Sequence, residues 1–186
     1  MAGRREVELA MRGDHDAFAS LAEESADRLY ALARMILRDS DRAQDATQEA
    51  LVKAWRDLPR LRDPDRFDAW LRRLLVNSCY DEARRAGRDG AAIRMLQPNE
   101  IVGGDPGPPL ADRDRVDRGL RRLSVDQRAV LVLHHHLGLT QKEIADTLGI
   151  PLGTVKSRLR YAGEAMRAAV EADDRGSRAL DDRSTG

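Results

Sequence analysis

Apolar positions recur at helical spacing along most of the chain. Asp14 can cap a helix whose stripe runs Phe18, Leu21, Ala22, Leu29, Leu32, Ala33 and Ile36, since its carboxylate can accept from the first free backbone amides. Asp41-x-x-Gln44 resembles a capping box for a second helix. There Ala46, Ala50, Leu51, Ala54, Trp55 and Leu58 follow, and Pro59 ends the run. A third helix places Phe67, Trp70, Leu71, Leu74, Leu75 and Ser78 at i, i+3, i+4, i+7, i+8 and i+11. Its other side carries Arg72, Arg73, Asn77, Asp81, Arg84 and Arg85. No segment alternates with the period of two that marks a half-buried strand, so the expected fold is all-α.

Breakers then interrupt the pattern. Gly87, Gly90, Pro98, Gly103, Gly104, Pro106, Gly107, Pro108 and Pro109 crowd one stretch and predict an extended, flexible linker. The expected division is a helical domain at 10–86, a linker at 87–112, a second helical domain at 113–172 and a disordered tail at 173–186. The second domain opens with Val116, Leu120 and Leu123, and the box Ser124-x-x-Gln127 precedes Val130, Leu131 and Leu133.

A helix-turn-helix follows. Thr140-x-x-Glu143 is another capping box, and Ile144, Ala145 and Leu148 form an inward face. Gly149 supplies a permissive turn residue, and Pro151 suits the opening of the next helix. That helix turns Val155 and Leu159 inward and Lys156, Arg158 and Arg160 toward solvent. Cations hold phosphates and long donors reach base edges, so the pattern fits a recognition helix in a major groove. An ordinary helical hairpin with a solvated basic face is the plainer alternative.

Composition changes this picture little. The 32 basic and 32 acidic residues cancel, yet their distribution does not. From Arg113 to Val170 eleven Lys/Arg face six Asp/Glu, a local excess of five, which permits a DNA-binding face on a neutral chain. A lone Cys79 excludes an internal disulfide or a cysteine zinc site and fits a reducing cytosol. No apolar run reaches the roughly 18 residues of a membrane span, and Met1 to Glu8 is charged rather than signal-like. The expectation is a cytoplasmic protein without membrane insertion.

These residues resemble the extracytoplasmic-function sigma factors of bacterial RNA polymerase. Asp41 to Arg56, an acid-rich helix ending in Ala-Trp-Arg, resembles the polymerase-docking helix of sigma domain two. Phe67 to Asn77, followed by Asp81 and Arg84-Arg85, is similar to its promoter-melting helix, and Gly153-Thr154-Val155-Lys156-Ser157-Arg158-Leu159 resembles the signature of sigma domain four. The resemblance implies an alternative sigma factor, an initiation factor that is not an enzyme and needs no cofactor, metal or small-molecule substrate. Its partners would be core RNA polymerase, promoter DNA and an anti-sigma factor.

Roles follow by the same resemblance. Asp45, Gln48, Glu49 and Arg56 would dock on the polymerase clamp. Arg60, Arg62, Arg66, Arg73, Asn77, Arg84 and Arg85 would hold the minus-ten element, where unstacked bases need compensating stacking and phosphate contacts. Leu152, Gly153, Thr154, Lys156, Ser157, Arg158 and Arg160 would bind the minus-thirty-five element, with Lys156, Ser157 and Arg160 as base readers and Arg158 reading or clamping. Tyr161 stands where family members often carry Arg, a departure within the recognition helix. Trp55, Phe67 and Trp70 lie on apolar stripes and are expected in the core.

Two rivals have less support. Metal catalysis through His134-His135-His136 fails because consecutive helical side chains point about 100° apart. A free-standing helix-turn-helix regulator would carry a receiver or ligand domain in front, whereas here the front block is helical with its own basic face.

Overall fold

The computed structural model describes residues 3–89 and 119–184. Among these residues every regular element is helical. The first block comprises α1 (Arg4–Met11), α2 (His15–Leu37), α3 (Ser40–Asp57), two short 3-10 turns (Leu58–Arg60 and Pro64–Arg66) and α4 (Phe67–Asp89). The second comprises a helical turn at 119–121, then α5 (Val125–His135), α6 (Gln141–Leu148) and α7 (Leu152–Ser184).

Local chemistry explains the boundaries. Asp14 accepts from the amides of Asp16 and Ala17 at 3.0 Å each and opens α2. Asp39, not the expected Asp41, caps α3 by accepting from Arg42 N. Ser124 with Gln127, and Thr140 with Glu143, form both halves of their capping boxes. Gly149 ends α6 in the left-handed region at φ 66°, a conformation glycine adopts at little cost.

The buried face of α3 consists of Ala43, Ala46, Ala50 and Ala54 with Thr47. Small side chains there let α2 and α4 approach closely. Lys53 then ties α3 to α4, with Nζ 3.2 Å from Asp81 Oδ2 and 3.4 Å from Ser78 Oγ. In α4 the buried residues include Phe67, Leu71, Leu75, Val76 and Cys79. Burial pushes the Cys79 thiol up to about 12, which keeps it protonated.

Three expected boundaries shift. The first block begins before residue 10, because α1 buries Val7 and Ala10 and packs on α2 and both 3-10 turns. Helix α4 continues past residue 86 to Asp89; the rest of the expected linker, from residue 90, lies outside the described residues. Where a disordered tail was expected from residue 173, the backbone of α7 is helical through Ser184. No proline follows Pro151, and the tail is rich in Ala, Arg and acidic residues that tolerate a helix.

The two blocks are also docked. Helix α5 packs on α2 and α4, α6 packs on α4, and a single apolar cluster runs from Leu21, Ile36 and Leu75 to Leu133, Ile144 and Val155. Both families of side chains share one core, so the structure is a closed pair rather than two separated modules.

Candidate nucleic-acid interface

Helices α6 and α7 form the expected helix-turn-helix. Ile144, Ala145 and Leu148 are buried beneath it, as is Val155, while Leu159 is half-buried. The box that starts α6 is tight: Glu143 Oε2 accepts from Thr140 N at 2.8 Å, and Thr140 Oγ1 accepts from Glu143 N at 3.2 Å. The Thr140 amide and then its hydroxyl hold the Glu143 carboxyl below its ordinary range.

On α7 the exposed positions gather on one side. Gly153, Lys156 and Arg160 are exposed at i, i+3 and i+7, and Ser157 lies half-buried between them. Leu152 is 41% exposed at the first turn beside Thr154, where free backbone amides favour an anion. Ser157 Oγ donates to Thr154 O at 3.0 Å. Arg160 is held from two directions, with its guanidinium 4.4 Å from the centre of the Tyr161 ring and 3.3 Å from Glu164. Arg158 differs. It sits around the helix from this stripe and pairs with Asp126 of α5 at 2.9 Å.

Along α4 a second basic stripe emerges. Arg73, Asn77 and Arg84 are all exposed, and their spacing of four and seven places them on one helical face. Arg66 extends the stripe from the 3-10 turn before it, with its side chain 80% exposed. Arg60 and Arg62 are exposed on the preceding loop, and Arg85 lies beside the stripe, paired with Glu82. The loop is braced from α1, whose Arg4 meets Asp65 at 2.5 Å.

Arg73 also reaches the second block, where its Nη2 lies 2.7 Å from the point a Cβ on Gly149 would occupy. Beside it, a cleft of about 710 Å³ lies between the blocks, lined by Arg66, Trp70, Arg72, Arg73 and, from α6, Glu143 and Asp146. Arg72 was not singled out by its sequence position. Its Nε is buried with no acceptor, and burial lowers its pKa. Only its place in the cleft separates it from the exposed arginines around it.

Helix α3 presents a third face. Asp45 and Gln48 are exposed and Glu49 is half-buried. Glu49 lies 3.4 Å from Lys53, and Arg56 is paired with Asp57 at 3.0 Å. Val52, 61% exposed, falls within this same face at i+7, i+4 and i+3 from Asp45, Gln48 and Glu49. Sequence reasoning missed it, because an exposed valine and a buried one look alike in a string of letters.

Of the three aromatics expected in the core, Phe67 is 2% exposed. Trp55 is half-buried against His15 and Phe18, with ring centres at 4.6 and 4.9 Å. Trp70 is half-buried in the cleft. Tyr80 lies between the blocks, where burial and then Asp126 push its phenol up to about 12. His134 Nδ1 lies 2.7 Å from Leu139 O, a bond that helps close the α5–α6 corner.

Comparison with known proteins accords with this geometry. Residues 21–89 match the Sigma-70 region 2 family, and residues 113–162 match Sigma-70, region 4. The two helical blocks are therefore those of the sigma-70 class. The chain is 37% identical over 157 residues to the ECF RNA polymerase sigma factor SigM of Mycobacterium tuberculosis, covering 81% of this chain and 75% of that protein. It is 27% identical to SigW of Bacillus subtilis over 88% of this chain and 94% of that one. Two solved structures share the fold. CnrH in complex with the cytosolic domain of CnrY matches at a TM-score of 0.65 and 29% identity, over 93% of this chain and 99% of that chain. The sigma factor RpoE in complex with the anti-sigma factor NepR, from Bartonella quintana, matches at 0.68 and 26%, over 84% and 98%.

The chain belongs to the ECF RNA polymerase sigma factors. It is an alternative sigma factor that directs promoter-specific transcription by RNA polymerase. A free-standing helix-turn-helix regulator is disfavoured, because the front block is itself sigma region 2.

Proposed function

We propose that the three faces divide the work of initiation. The stripe of Gly153, Lys156, Ser157 and Arg160 enters the major groove at the minus-thirty-five element, while Leu152 and Thr154 set a backbone phosphate against the first turn of α7. Arg158 clamps α7 to α5 and contributes through the fold. Arg60, Arg62, Arg66, Arg73, Asn77, Arg84 and Arg85 track the minus-ten strand, with Trp70 and Arg72 at the edge of the cleft. Asp45, Gln48, Glu49, Val52 and Arg56 dock on core polymerase. The chain performs no chemistry of its own and needs no metal or cofactor, since nucleotide addition belongs to the polymerase.

The observation that carries this reading is the pair of separate basic stripes, one on each block, on a chain whose net charge is zero. Such a chain concentrates its cations where phosphates would lie. We also infer an anti-sigma partner, because both solved relatives above were captured with a protein partner and one is described as an anti-sigma factor. A cytoplasmic location follows from the partners, and among the described residues no helix is long and apolar enough to cross a membrane. Footprinting of the reconstituted holoenzyme on a promoter it initiates from tests the division. Protection lost near position minus thirty-five in Lys156→Ala/Arg160→Ala, and near minus ten in Arg73→Ala/Asn77→Ala, is the expected result; no change in either would contradict it.

A further inference from the structure

One buried cation joins the two blocks. Arg128 of α5 is 9% exposed, and its guanidinium donates to three carbonyl oxygens. Nε reaches Ile36 O at 2.5 Å, and Nη1 reaches Leu123 O at 2.7 Å and Leu120 O at 3.2 Å. Leu120 and Leu123 belong to its own block. Ile36 lies in the last turn of α2, in the other block, where unpaired carbonyls and the negative end of the helix dipole favour a cation. Among the described residues no carboxylate pairs with Arg128. Burial, and then the charge of Arg38, lower its pKa to about 10.

Apolar side chains flank this bond. Leu137, in the α5–α6 corner, shares a small pocket with Ser25, Leu29 and Leu71 of the first block. Leu139 shares the larger cleft with Leu61 and Trp70. The second block is thus held by a charged bond at α2 and by these two leucines at the margin of the shared apolar core.

A docked pair is too small to read both promoter elements at once. A compact body of this chain length has a radius of gyration of about 16 Å and spans on the order of 40 Å. Elements centred ten and thirty-five positions upstream lie about 25 base pairs apart, on the order of 85 Å along the duplex. Docking and two-element engagement therefore exclude one another.

We propose that Arg128 is the latch of a closed state: by holding the Ile36 carbonyl it keeps the recognition block docked on the melting block until polymerase and promoter separate them. It is a positioning residue, and the proposal rests on the assignment of the two stripes to two promoter elements. Anything that binds only the separated blocks must supply the free energy of undocking, so a weaker latch gives tighter apparent binding.

The test uses the full chain with a donor and an acceptor dye on Glu24→Cys and His136→Cys, exposed positions on opposite blocks, while native Cys79 is buried. Single-molecule energy transfer should show one high-transfer population in the latched protein. Arg128→Met keeps the stem but not the donors, and should move the equilibrium toward low transfer by about tenfold or more, as expected for a lost buried bond to a charged group. Arg128→Lys should restore part of it. Leu137→Gln leaves Arg128 intact and should produce the same shift, which covers the case in which Arg128→Met fails to fold. The opened variants should bind core polymerase several-fold more tightly than the latched protein. A purely structural role would lower the melting temperature without moving the transfer distribution. Persistence of the high-transfer state in both folded variants would overturn the latch, as would a low-transfer parent or unchanged polymerase affinity in an opened variant. If the latched protein itself fails to bind polymerase, the sigma assignment falls, and the transfer distributions still decide whether Arg128 latches the blocks.

Discussion

Arg158 of the recognition helix gives its guanidinium to Asp126 of α5 at 2.9 Å, with the arginine side chain only 25% exposed. The signature segment therefore contains cations of two kinds. Lys156 and Arg160 face solvent, while Arg158 fixes the helix to its scaffold. Asp126 is itself 48% exposed, so screening limits the pair to about 0.5–1 kcal/mol. Arg158→Ala should lower thermal stability by about that amount and leave the salt dependence of DNA binding nearly unchanged. Chemical denaturation beside a salt titration of duplex binding checks both. A large change in salt slope with unaltered stability would make Arg158 a phosphate contact instead.

Lys156→Ala with Arg160→Ala should do the reverse. Stability should stay within about 0.5 kcal/mol, as for surface positions, while each lost bidentate base contact should cost about 1–3 kcal/mol of promoter binding. Polymerase association should be intact. Unchanged transcription from the cognate promoter in the double variant would remove the stripe from the reading surface.

The α3 face can be tested separately. Asp45→Lys with Glu49→Lys should abolish association with core polymerase without loss of helicity. Val52→Asp should weaken the same association by about tenfold or more, since it would bury an unpaired carboxylate in the contact that Val52 makes as an apolar side chain. Circular dichroism and polymerase pull-down with the purified variants measure the two effects. Normal affinity in all of them would place the docking surface elsewhere.

Acid should act on α6 through Glu143. The folded-state pKa of this carboxyl is lowered by the Thr140 amide and hydroxyl, so the stability it contributes is complete above its ordinary value of 4.5. It is lost as pH falls through the lower folded value. Gln at this position keeps the capping-box geometry without ionising. The stability of Glu143→Gln should therefore vary less than that of the parent below about pH 4.5. Urea melts across pH 3–6 compare them, and parallel curves would show that the box contributes no pH dependence.

Much of the fold was legible in the sequence because its determinants are local. Ser124 with Gln127 and Thr140 with Glu143 mark helix starts three residues apart, and both boxes form. Asp39 and Asp41 lie within one turn and carry the same carboxylate, so the choice between them depended on backbone geometry that a pattern does not hold. Helix α1 was missed because its burial depends on the 3-10 turns about fifty residues away, and Val7 and Ala10 alone show little periodicity. The candidate site residues were named mostly by resemblance, and their exposure and pairing are what separate Arg158 from Lys156 and Arg160. Block docking was hidden for a related reason. Arg128, Leu137 and Ile36 each look like ordinary members of their own helix or corner, and only the tertiary arrangement makes them partners.

The central claim is that this chain confers start-site choice on RNA polymerase. The most direct measurement is in vitro transcription with sigma-free core enzyme over a genomic promoter library, with and without the purified protein. A small set of discrete start sites, each lying downstream of two shared sequence elements, is the predicted result. Transcripts that begin without site preference, or a set of start sites identical to that of core alone, would contradict it.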